Sequence, residues 1–103
     1  MARGAAILET TRHGGSMRRD TDQLLRKILT DVLGLKPGQA ELFDADTGLF
    51  GHMPELDSMA VAGLLTEMED RLDIVIEDDE VDGELLETFG NLLAFAEAKR
   101  EAA

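Results

Sequence analysis

The residues best placed to do chemistry lie in the stretch Glu55-Leu56-Asp57-Ser58-Met59-Ala60-Val61. A serine hydroxyl such as that of Ser58 can attack an acyl group, or it can accept a group that another enzyme delivers. The first role needs a histidine base within reach and donors for the developing oxyanion. His52 stands six residues back, in a loop with Gly51 and Pro54, and no oxyanion-hole motif accompanies it. No catalytic residue is therefore assigned, and the chain is expected not to be an enzyme. The second role needs only an exposed hydroxyl in a favourable field. With Asp57 as N-cap, Ser58 opens a helix, where unpaired backbone N–H groups and the positive dipole end suit a phosphodiester. Asp57 adds a negative charge, so its contribution is geometric or lies in partner recognition. A serine after a capping aspartate is also an ordinary helix start, so the dipeptide needs support from the rest of the chain.

Other chemistries find less support. There is no Cys among the 103 residues, which removes disulfides, thiolate metal sites and cysteine nucleophiles. His13 and His52 lack a paired-ligand spacing, and no metal site is assigned to them. Asp78, Glu80, Asp82 and Gly83 imitate the first half of a calcium-binding loop, but the twelfth position is Phe89 and not Glu. That cluster reads as a solvated acidic turn.

The elements that must position Ser58 follow from apolar periodicity. Residues 1–19 carry Gly4, Gly14, Gly15 and Ser16 among arginines without a sustained apolar period, so they are expected to be a flexible extension. Met17 is a possible alternative start. The domain proper is expected over 20–103. Asp20 and Gln23 resemble a capping box, and Leu24, Leu25, Ile28, Leu29, Val32 and Leu33 predict a helix over 21–33, closed by Gly34 and Pro37. Residues 36–56 form a long connection, expected to be pinned by Leu42, Phe43, Leu49 and Phe50, with a helical turn near 39–43. A helix over 58–72 buries Val61, Leu64, Leu65, Met68 and Leu72. Ile74-Val75-Ile76 has no partner strand and is expected to be an ordered loop inserting Ile76 into the core. A short helical turn over 78–85 precedes a last helix over 88–100, with Phe89, Leu92, Leu93 and Ala96 buried and Lys99 and Arg100 at its negative end. The prediction is an all-α fold, a small four-helix bundle with a short third helix and a long loop between the first two.

Charge points to the partner class. The net charge is −12, and since residues 1–19 sum to +3, the remainder carries −15. Such a domain repels nucleic acid and anionic lipid and attracts basic protein surfaces. No stretch is apolar enough to cross a bilayer, so membrane insertion is not expected and a cytoplasmic location is. Around the predicted second helix, Ser58, Met59, Ala62, Thr66, Glu69, Asp70 and Asp73 share the side opposite the core stripe. Ala62, Thr66, Glu69, Asp70 and Asp73 are thus candidate partner-recognition residues.

Over residues 20–100 this order of elements resembles acyl carrier proteins: helix, long loop, Asp-Ser-hydrophobe, acidic helix, short helix, final helix. The resemblance implies that Ser58 receives 4′-phosphopantetheine from coenzyme A through a magnesium-dependent phosphopantetheinyl transferase, and that its thiol holds an acyl group as a thioester. Asp57 and Ser58 match the motif, and Met59 stands where Leu is usual. Leu56 departs from the usual Gly, and Ala62 and Thr66 make the exposed face less apolar than in fatty-acid carriers. The wording of residues 54–60 is similar to specialised bacterial carriers of exopolysaccharide and exosortase loci. The partners implied are the transferase and acyl-loading and acyl-using enzymes with basic docking surfaces, meeting a monomer. An aminoacyl carrier and an unmodified adaptor with the same fold are the alternatives.

Overall fold

A computed structural model describes residues 13–102. Three α-helices, α1 (His13–Leu33), α2 (Ser58–Leu72) and α3 (Phe89–Ala102), are joined by segments holding 3-10 turns at Ala40–Leu42 and Asp78–Glu80. The fold is all-α, as expected. The short third helix is the 3-10 turn at Asp78–Glu80, followed by turns through Glu87.

Helix α1 buries Leu25, Ile28, Leu29 and Leu33, the 3.6-residue stripe read from the sequence. Its start is corrected. The helix begins at His13, so Asp20 is an interior residue whose carboxylate meets the Arg100 guanidinium at 3.4 Å. Glycine in a helix interior costs about 1 kcal/mol relative to alanine, which weakens the signal at Gly14 and Gly15 without forbidding helix. Residues 13–19 of the expected extension continue α1, while 1–12 lie outside the described residues. The other end matches its signal: Gly34 takes φ +67°, and the Leu35 N–H donates to the Thr30 carbonyl at 3.0 Å.

The long connection is held chiefly by Arg26. Its guanidinium pairs with Asp22, donates to the Ala40 and Phe43 carbonyls at 2.6 and 3.0 Å, and lies 4.5 Å from the centre of the Phe89 ring. Leu49 is fully buried and Phe43 packs against the core, its ring edge-on to Phe89 at 5.9 Å. Leu42 and Phe50 do not pin the loop as expected. Leu42 is 83% exposed on its 3-10 turn, and Phe50 is 38% exposed. The loop instead docks by backbone pairing. The Leu49 N–H donates to the Glu87 carbonyl at 2.7 Å, and the Phe89 N–H to the Thr47 carbonyl at 2.9 Å, around a single bridge between Gly48 and Thr88.

Helix α2 buries Leu64, Met68 and Leu72, with Val61 and Leu65 half-buried. It ends at Asp73, in the left-handed region at φ 56°. That reversal sends Ile74 into the core, while Val75 faces outward and Ile76 is only half-buried. Ile74 is thus the deeper of the two, and Ile76, expected to insert, packs half-buried against the core. Helix α3 contributes Phe89, Leu92 and Ala96 to the core, Leu93 being half-buried. Each fully buried Leu or Phe stabilises the bundle by about 1.5–3 kcal/mol relative to an exposed one. Lys99 and Arg100 do more than face a helix dipole: Lys99 bonds Glu80 at 2.9 Å, and Arg100 bonds Thr21 at 3.1 Å.

Candidate functional site

Asp57 takes extended backbone angles, and its Oδ1 accepts the Ala60 N–H at 2.9 Å while its carbonyl accepts the Val61 N–H at 2.9 Å. This cap leaves the N–H groups of Ser58 and Met59 at the open end of α2. Leu56, one residue earlier, is 3% exposed and anchors the approach to the cap in the core. The chain therefore changes from buried at Leu56 to exposed at Asp57, Ser58 and Met59 within one step.

Two open depressions flank Ser58. One, of about 240 Å³, has apolar walls from Phe50, Val61, Val81 and Leu86 and is lined also by Asp82 and Gly83. The other, of about 490 Å³, is formed by the loop from Phe50 to Leu56 together with Asp57 and Ser58. Neither contains a Lys or Arg. His52, dismissed above as a catalytic base, lies in the second depression. Spacing alone gives no signal for this, because a turn between Leu49 and Met53 folds the loop back.

The candidate recognition residues divide. Asp70 and Asp73 are exposed along α2. Ala62 and Thr66 are also exposed, but they line a groove of about 500 Å³ between α1 and α2, apart from the two depressions at Ser58. Glu69 corrects its expected exposure: it is half-buried, and its carboxylate accepts the Ile76 N–H at 2.8 Å. A wheel cannot foresee this, since the bond comes from the loop beyond the helix. Arg71 crosses to α1, bonding Asp31 at 2.7 Å and Glu67 at 2.9 Å, and the bond to Asp31 is the main cause of its raised pKa.

The acidic turn that imitates a calcium loop has structural employment. Glu77 and Glu80 form a reciprocal capping box, Asp82 accepts the Leu85 N–H at 2.8 Å, and Phe89 is buried. The hydrogen bond from Lys99 is the main reason that the Glu80 carboxyl is held below the usual carboxylate range, and its bond from the Glu77 N–H adds to this. Among the described residues no group of three or more His, Cys, Asp or Glu is gathered for a metal ion. No described helix is long and apolar enough to cross a membrane.

Comparison with known proteins gives the same frame. Residues 23–96 match the family described as phosphopantetheine attachment site. A solution structure of a holo acyl carrier protein from Nitrosomonas europaea superposes with a TM-score of 0.71 at 39% identity. The match covers 78% of this chain and 95% of that one. No curated protein matches the chain.

Proposed function

The chain belongs to the phosphopantetheine attachment site family, and on that premise we propose that Ser58 is the residue that carries the group. The protein is an acyl carrier protein, with covalent 4′-phosphopantetheine as its cofactor. When bound, that group supplies a terminal thiol on which an acyl chain is held as a thioester.

The residues at Ser58 fit such a group. The hydroxyl is exposed at the start of a 15-residue helix. Free backbone N–H groups in the first turn and the positive helix end would favour a phosphodiester on that hydroxyl. The apolar depression of Phe50, Val61, Val81 and Leu86 offers cover to an apolar arm. Asp57 orients the serine by fixing the first turn, and Leu56 holds the cap against the core. Met59, 84% exposed beside Ser58, gives a partner an apolar contact. Asp70 and Asp73 lie further along α2, where a basic partner surface would meet them.

The observation that carries the reading is the capped, exposed Ser58 inside a matched carrier domain. We take residues 20–103 as that domain, with residues 13–19 extending its first helix, a cytoplasmic monomer as its working form, and acyl-loading and acyl-using enzymes as its partners. Incubation with coenzyme A and a phosphopantetheinyl transferase should add one phosphopantetheine by intact mass, and Ser58→Ala should add none. Modification of the Ala variant, or none of wild type with several transferases, would overturn the assignment; the second result favours an unmodified adaptor.

A further inference from the structure

We infer that His52 is the counter-ion of the phosphodiester formed at Ser58, an inference that rests on the attachment reading above. Three observations carry it. The first is placement. Although six residues apart in sequence, His52 and Ser58 line the same depression.

The second is that the backbone bearing His52 is held, while its side chain is exposed. The Leu49 carbonyl accepts the His52 N–H at 3.0 Å and the Met53 N–H at 2.8 Å, and Leu49 itself is fully buried and paired to Glu87. His52 thus stands on a turn fastened to the core. Its ring rests on Gly48: a Cβ at that position would lie 2.4 Å from His52 Cγ and 2.7 Å from Cβ and Cδ2. Any larger residue at 48 would push the ring away, so the glycine makes the cradle.

The third is charge. Asp57 is the ionised group in the same depression, Asp82 lines the neighbouring one, and Glu55 on the intervening turn lines a third together with Lys36. With no Lys or Arg in either depression at Ser58, His52 is the group there that can become a cation. A phosphodiester on Ser58 adds a negative charge beside Asp57, and a protonated imidazole across the depression offsets it with charge-assisted hydrogen bonding.

A phosphodiester does not itself titrate near neutrality, so its phosphorus-31 resonance reports a neighbouring proton. In the full-length holo protein that resonance should move as pH is stepped between neutral and mildly acidic. In His52→Gln, which retains His13, it should be flat. In His52→Arg it should stay near the acid-limit position at every pH. Gly48→Ala, which keeps the histidine but fills its cradle, should shrink the movement, with helical circular dichroism confirming each fold. A flat resonance in wild type, or an unchanged movement in His52→Gln, would overturn the inference. Mass separates the two readings: failure to add the group at Ser58 defeats the attachment, whereas a loaded protein with a flat resonance defeats only His52.

Discussion

Glu69 and Asp70 are adjacent acidic residues on α2 with different physical roles. The Glu69 carboxylate accepts the Ile76 N–H and fastens the segment that carries Ile74 into the core, whereas Asp70 is exposed. Losing the partner of a half-buried N–H costs about 1–3 kcal/mol, while an exposed substitution stays within about 0.5 kcal/mol. Glu69→Lys is therefore expected to lower stability by that larger amount and Asp70→Lys hardly at all, as urea denaturation will show. It follows that partner recognition should be probed at Asp70 and Asp73, with Glu69 left intact. Asp70→Lys should slow transferase modification at low salt; an unchanged rate in the folded variant would remove this position from the docking surface.

At the scale of elements, the problem the chain solves is the long connection of residues 34–57 between α1 and α2, which must deliver Ser58 to a defined place. Arg26 does much of this from α1, giving donors to two loop carbonyls and a cation to the Phe89 ring. Arg26→Ala should destabilise by about 2–3 kcal/mol, through orphaned carbonyls and the lost ring contact. Arg26→Lys should recover only part, because an ammonium cannot reproduce the planar fork. The far side is closed by Lys99 and Glu80, which tie α3 to the second 3-10 turn. Since the Glu80 carboxyl is held below its ordinary value, the unfolded chain binds that proton first on acidification. The contribution is thus fully present above the ordinary value of about 4.3 and is lost as pH falls through the lower folded value. The stability gap between wild type and Glu80→Gln should close over that window, measured by denaturation at stepped pH.

At the scale of the whole molecule, the acidity of −15 beyond residue 19 sets two opposed responses to salt. Crowded like charges strain the compact state, so screening should raise the melting temperature. Attraction to a basic partner operates over the same distances and weakens as the Debye length shortens to about 10 Å at 0.1 M. Between 0.01 and roughly 0.3 M sodium chloride, the fold should therefore strengthen while the transferase KM rises. A KM that ignores salt would place recognition in the apolar contact of Met59 and not in the acidic face.

Much of the architecture is written in contiguous residues. The spacing of Leu25, Ile28 and Leu29, and of Leu64, Met68 and Leu72, is enough to define two helices and their buried faces, because a helix repeats locally. Asp57 as cap and Gly34 as terminator are likewise local, so Ser58 at an exposed helix start was legible before any packing was known. Tertiary structure decided what depends on residues distant in the chain. It set Ile74 deeper in the core than Ile76, turned Leu42 outward, gave Glu69 a backbone partner, and drew α1 back to His13. It also set His52 against Gly48, beside Ser58. Periodicity carries no information about such pairings, since a loop's side chains are directed by whichever backbone groups the folded neighbours leave to be bonded.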